Sequence, residues 1–172
     1  MKKALLIIDL QNDYFPQGKF PLWNTEVTLN NILEAIKICK DKNYQIVHIQ
    51  HIADPNLGLA PFFIKDSEGV QIVPEILEAA PNAPIVIKTY ADGFVKTNLN
   101  EVLEKLDVDE LLVCGMMTQN CVTHTSISNK KTKNYKTSIL MDACTSVSEP
   151  IHLIGLAATL TWDISLISYK DI

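Results

Sequence analysis

The 172-residue chain predicts a three-layer αβα fold, with helices on both faces of a six-stranded parallel sheet, and three observations predict it. Short, wholly apolar runs of strand type recur along the chain, as strands buried on both faces require. Longer segments between them return their apolar residues with the helical period. The two kinds alternate from end to end, with no internal repeat and no low-complexity tract. The length fits a single domain over 1–172, able to bury a core without disulfide or metal staples. A hydrophobic share of 47% against 20% charged suits elements covered on both sides.

The net charge of −5 is mild and carries no basic stripe, so neither nucleic acid nor an anionic membrane surface is an expected partner. No apolar run reaches the length of a membrane span. Cys39, Cys114, Cys121 and Cys144 form no CxxC pair, and Met1-Lys2-Lys3 leads straight into a strand pattern without a secretory leader. The expected compartment is therefore the reducing cytoplasm.

Residues 4–8 are the first strand, ending at Asp9 and followed by Gln11, Asn12 and Asp13. A buried strand that ends in a carboxylate places it at the carboxyl edge of a parallel sheet, where α/β proteins bind ligands. An aspartate there also serves simply to cap a loop. A loop punctuated by Pro16, Gly18 and Pro21 leads to a helix over 27–42, with Leu29, Ile32, Leu33, Ile36 and Cys39 on its apolar face and Asn24 or Thr25 as N-cap. Residues 45–50 are the second strand. His48 and His51 are three apart, so on a strand they face opposite ways and do not share a metal ion; His51, at the carboxyl end, is the one expected to line a pocket.

The stretch 52–73 is long and carries Phe62 and Phe63, either as a lid over the site or as rings pinning the loop to the body. Pro74 opens a short helix over 74–80. The third strand, 85–87, closes at Lys88, and an ammonium ending a buried strand must reach water or meet a fixed carboxylate, for which Asp9 is the candidate. A helix follows through Leu99, Val102, Leu103 and Leu106, with Asn98 and Glu101 as a capping pair. Strand five is expected over 136–141, stopping at Asp142. A helix capped by Ser148 runs to about Thr161, and 164–168 form strand six.

The stretch 111–122, LLVCGMMTQNCV, reads as a buried strand, a break at Gly115 and a helix that begins near Cys121. A cysteine in a first helical turn sits where unpaired N–H groups and the helix dipole favour a thiolate, which makes Cys121 a candidate nucleophile. It is equally placed to be a small buried residue. His124 shares its helix face, but neighbours on one helix rarely aim their reactive atoms at each other. Asp9, Lys88 and Cys121 thus each lie just past the end of a strand and need one another: the thiol a base, the lysine a counter-charge and the carboxylate a reason to be dry.

The blocks LLIIDLQNDYF, VIKTYADGF and LLVCGMMTQNCV, in this order from Ala4 to about Ala143, resemble the isochorismatase-like cysteine hydrolase superfamily, which includes nicotinamidases and carbamoylsarcosine amidases. The resemblance implies the isochorismatase-like, Rossmann-like fold with strand order 3-2-1-4-5-6. It also implies catalytic Asp9, Lys88 and Cys121, an oxyanion hole from the N–H groups of Met117 and Cys121, and a cis peptide between Met116 and Met117. Gln11, Phe15, His51, Phe62, Tyr90, Phe94 and Gln119 are the expected substrate-binding residues. The implied chemistry is cleavage of a small amide, imide or ureide through a thioester, the cysteine favouring C–N over vinyl-ether cleavage; a silent small-molecule-binding relative is the alternative from another class. Where the superfamily's nicotinamidases have an Asp-x-His metal motif, this chain has His51-Ile52-Ala53, so neither a metal nor another cofactor is expected. Gly93, in place of a small side chain before Phe94, implies a looser pocket wall. Self-association as a homodimer or homotetramer is implied as well.

Overall fold

The computed structural model of the chain describes residues 2–57, 61–132 and 135–172. Six strands, β1 (Lys3–Ile8), β2 (Gln45–His51), β3 (Ile85–Lys88), β4 (Glu110–Met116), β5 (Lys136–Thr145) and β6 (Ser165–Ile167), form one sheet of order β3-β2-β1-β4-β5-β6. Every pairing is parallel. The helices α1 (Thr25–Asp41), α2 (Pro74–Ala79), α3 (Leu99–Lys105), α4 (Thr123–Thr132) and α5 (Glu149–Thr159) flank it, which makes the three layers. No helix among the described residues is long and apolar enough to cross a membrane.

The apolar runs become strands for the expected reason. Ala4 to Ile8 of β1 are at most 1% exposed, and every residue of β4 is buried, so the centre of the sheet is covered on both faces. β3 departs from that pattern. It is an edge strand whose Ile85 and Ile87 lie open while Val86 and Lys88 are buried. α1 buries Leu29, Ile32, Ala35, Ile36 and Cys39, and Asn43 at φ 56° ends it in the left-handed conformation that asparagine tolerates. Neither Asn24 nor Asn98 makes the expected side-chain cap bond.

β5 is longer than its sequence suggests. It does not stop at Asp142 but runs to Thr145, with its register against β4 shifting between Val113 and Gly115. The carboxylate is accommodated because it accepts from the Ser168 hydroxyl at 2.5 Å and the Tyr169 N–H at 2.9 Å, so it ties down the C-terminal turn instead of ending a strand. Gly115 makes the crowding at the strand ends possible. Its φ is +120°, and a Cβ there would lie 2.1 Å from the Ile8 carbonyl oxygen. Only glycine lets β4 turn this close to the end of β1.

The loop between β2 and α2 is tied to the segment after β1. Gln11 bridges Ile72, Asn12 N donates to Gln71 O, Asp13 N to Gly69 O and Val73 N to Leu10 O. The Asp13 carboxylate, 2% exposed, accepts from Phe63 N at 2.7 Å and Lys19 N at 3.1 Å. Residues 58–60 of the expected lid lie outside the described residues.

Candidate active site

Three strand ends deliver three groups to one place. Asp9 is the first residue beyond β1 and takes a φ of 54°, a left-handed turn that swings its side chain off the strand while its N–H donates to Ile49 O at 2.9 Å. A non-glycine residue in that region carries strain that the surrounding packing must hold. Lys88 is the last residue of β3 and pairs in register with His51, the last of β2, so both side chains leave the same face of the sheet. Cys121 follows β4 on the turn Thr118–Val122.

The ammonium of Lys88 is the hub. It donates to Asp9 Oδ2 at 2.8 Å, His51 Nδ1 at 2.8 Å, the Tyr90 carbonyl at 3.2 Å and Cys121 Sγ at 3.3 Å. Asp9 is fully buried, Lys88 is 1% exposed and Cys121 3%. Burial works against the ammonium, but the charge of Asp9 outweighs it and holds the lysine above its ordinary value. Asp9 Oδ1 is buried without a hydrogen-bond partner among the described residues, an acceptor left over beside a thiol.

The resting sulfur differs from the helix-dipole expectation. Burial, followed by the charge of Asp9, pushes the Cys121 thiol up to about 12, with Lys88 pulling the other way. Desolvation and a neighbouring carboxylate outweigh the dipole, and the turn holding the cysteine is a wide π-turn with α4 starting only at Thr123. The resting group is thus a neutral thiol beside a carboxylate. Desolvation followed by the charge of Lys88 lowers His51 to about 4, so its ring is neutral.

The cysteine turn is braced from behind by α5. Thr118, fully buried, donates to the Thr145 carbonyl at 3.0 Å, and its oxygen lies 2.8 Å from Nδ1 of His152. Thr123 donates to the Thr118 carbonyl. A Cβ on Gly155 would stand 2.7 Å from the backbone of Gln119, so α5 lies directly on the turn. The Met116–Met117 peptide entering it is cis.

The structure brings together Asp9, Lys88, Cys121, His51 and, through its carbonyl, Tyr90, but several expectations are revised. Gln11 is not free to bind a ligand: its amide donates to His51 O and Val70 O and accepts from His51 N, all at 2.8 Å, so it stitches the loop to β2. Phe15 lines a cleft of about 790 Å³ with Gln17, Lys19, Glu26 and Glu75, and Asp9, Lys88 and Cys121 take no part in that cleft. Phe62 stacks on Phe20, with centroids 4.8 Å apart, while Phe63, 1% exposed, is the ring that approaches His51, at 5.8 Å. These rings pin the loop. Gln119 accepts from the Ser146 hydroxyl at 2.6 Å, and Phe94 is half-buried with its N–H on Asp92. Gly93 does not loosen the wall: it is buried, donates to Thr125 Oγ1 at 2.9 Å and has that side chain 3.2 Å from where a Cβ would be.

His124 is exposed, with Nδ1 on the Asn120 carbonyl at 2.7 Å, so no Cys–His dyad forms. His48 is buried away from the cluster, with Nε2 3.1 Å from the Ala80 carbonyl. Sequence reasoning missed Tyr14, which packs edge-on to Phe63 at 4.6 Å. Burial above all, with the charge of Asp9 adding to it, raises the pKa of its phenol, so the hydroxyl stays protonated. Its place in the loop straight after Asp9 was the available signal. Thr118 and His152 were also missed, since nothing local links residues 34 apart.

Asp9, His51 and Cys121 each offer a ligand atom within 4.8 Å of the others, a set compatible with a metal ion by distance. The ammonium of Lys88 touches all three, and Ala53 offers no side-chain donor, so these residues do not fit a resident cation.

A six-stranded parallel sheet of this order, flanked by helices, is the architecture of the isochorismatase-like hydrolases. The chain belongs to the isochorismatase family: residues 3–160 match the Isochorismatase domain. It is 34% identical over 148 residues to the uncharacterized isochorismatase family protein YddQ of Bacillus subtilis, covering 86% of this chain and 80% of that one. Nicotinamidase 3 of Arabidopsis thaliana is 28% identical over 159 residues, covering 87% and 76%. The crystal structure of N-carbamoylsarcosine amidase from Thermoplasma acidophilum superposes with a TM-score of 0.88 at 20% identity, over 100% of this chain and 99% of that one, a likeness of fold. The protein is a hydrolase of this family.

Proposed function

We propose that the protein cleaves the C–N bond of a small amide, imide or ureide through a thioester on Cys121. The observation that carries this reading is the buried hub itself, Lys88 bonded to Asp9 at 2.8 Å and to the sulfur at 3.3 Å with Asp9 Oδ1 left without a partner. Asp9 takes the thiol proton as the sulfur attacks the carbonyl carbon, so the thiolate is generated only in the act of bonding. The backbone N–H groups of Met117 and Cys121 receive the oxyanion, and Lys88 offsets the accumulating negative charge. Asp9 returns the proton to the departing nitrogen, which leaves as an amine or ammonia. Water then attacks the thioester, losing its proton to Asp9, and the carboxylic acid departs as the thiol is restored.

Nicotinamidase 3 is an amidase by name, and its likeness spans most of this chain, which supports a C–N bond as the target. His51-Ile52-Ala53, standing where the Asp-x-His motif would be, argues against a substrate gripped through a metal ion. The test is a screen of small amides, imides and ureides for ammonia release, with Cys121→Ala as control. Release that depends on the sulfur is expected; release that survives the substitution defeats the covalent route.

A further inference from the structure

Lys88 meets four acceptors with three protons. Two of the contacts, to Asp9 Oδ2 and His51 Nδ1, are short at 2.8 Å, and the remaining proton is shared between the Tyr90 carbonyl at 3.2 Å and the sulfur at 3.3 Å. An ammonium only donates, so Nδ1 of His51 must accept, and the ring proton is then on Nε2. Nε2 has no hydrogen-bond partner among the described residues. His51 itself is half-buried, unlike the fully covered Asp9 and Lys88 beside it. The ring's other neighbours are the carboxylate of Asp9 from β1, the thiol of Cys121 from the turn after β4 and the ring of Phe63 from the β2–α2 loop. None of them occupies Nε2.

We infer that Lys88 locks His51 as a neutral Nε2–H donor beside Cys121, and that the substrate is one bearing a second hydrogen-bond acceptor, such as another carbonyl oxygen, beside the scissile carbonyl. The inference rests on the amide reading above and narrows it: imides, ureides and diamides qualify, and plain aliphatic amides do not. A ligand lacking that acceptor leaves a donor facing a dry partner, and a missed hydrogen bond of this kind costs about tenfold in affinity. The lowering of His51 to about 4 agrees with a ring that stays neutral through the physiological range.

The test uses the intact chain carrying Cys121→Ala, so that no probe is consumed, labelled with ¹⁵N-histidine. Long-range ¹H–¹⁵N spectra are expected to show His51 as the Nε2–H tautomer from about pH 5 to pH 8, and Lys88→Met to release that preference. Titration with malonamide and with isovaleramide, in which methyl groups replace the second carbonyl oxygen and nitrogen, is expected to shift the Nε2–H resonance with malonamide alone. Malonamide should bind about tenfold tighter, and His51→Phe should erase the difference. An Nδ1–H tautomer, a charged ring, or an Nε2–H response that is absent or equal for the two probes overturns the inference. The ammonia screen bears on the amide reading and the tautomer and probe titrations on His51, so the two failures can be told apart.

Discussion

At the scale of single residues, the argument turns on a charge pair with no access to water. The side chains of Lys88 and Asp9 are both fully buried, so removing one partner strands the other. Lys88→Met is expected to lower the unfolding free energy by about 3–5 kcal/mol, measured by urea denaturation. Combining it with Asp9→Asn should recover part of that loss, because no lone charge remains. For turnover, Asp9→Asn is expected to reduce kcat on the order of 10²- to 10⁴-fold, as loss of a general base does. Because burial raises the Cys121 thiol to about 12, its alkylation by iodoacetamide should be slower at pH 8 than that of free cysteine and should rise with pH into the alkaline range. A reaction with the rate of a low-pKa thiol at pH 6 would show a preformed thiolate instead. These residues were legible in the sequence because Asp9 and Lys88 each end an apolar run and Cys121 opens the segment after the fourth. The protonation of the sulfur was not, because a helix-dipole argument sees only the local backbone, whereas desolvation and Asp9 act through the fold.

At the scale of elements, α5 and the cysteine turn are fitted backbone to backbone. A methyl at Gly155 would meet Gln119 at 2.7 Å, so Gly155→Ala must move either the helix or the turn. The substitution is expected to cost about 1–3 kcal/mol in stability and to lower kcat more than it raises KM, read from thermal melts and steady-state kinetics on a substrate from the screen. The strands and helices themselves were readable from periodicity. The extension of β5 was not, since a charged residue in an apolar run looks like a strand end until Ser168 and Tyr169 arrive to satisfy it. The wide turn at Thr118–Val122 escaped for a different reason: its side-chain spacing looks like the opening of an ordinary helix. Gln11 and Phe62 were assigned to the ligand because their types suit binding, but the chain uses the amide and the ring to hold its own loop.

At the scale of the whole molecule, buried titratable groups set the pH range of stability. Cys39, Cys121 and Cys144 are all pushed by burial from an ordinary 9.0 to about 12. Folding favours their neutral form, so this contribution is complete below about pH 9 and is lost as pH rises through about 12. His48, His51 and His152 are lowered from 6.5 chiefly by burial, His51 to about 4. Their contribution is present above about pH 6.5 and is lost as pH falls toward 4. Melting temperature followed by circular dichroism should therefore form a plateau between about pH 6.5 and 9 and decline on both sides; a maximum near pH 5 would contradict the assignment. The parallel sheet with helices on both faces was foreseeable from the alternation of strand and helix, and its strand order from the family resemblance.

The position of β3 has a thermal consequence. This four-residue strand pairs on one side only, with Ile85 and Ile87 open to solvent, yet it carries the ammonium that holds the reactive groups together. The margin of a sheet is where partial opening begins. Heating should therefore disarm the enzyme several degrees before its ellipticity collapses, and brief cooling should restore activity, because what came loose was a fringe and not the fabric.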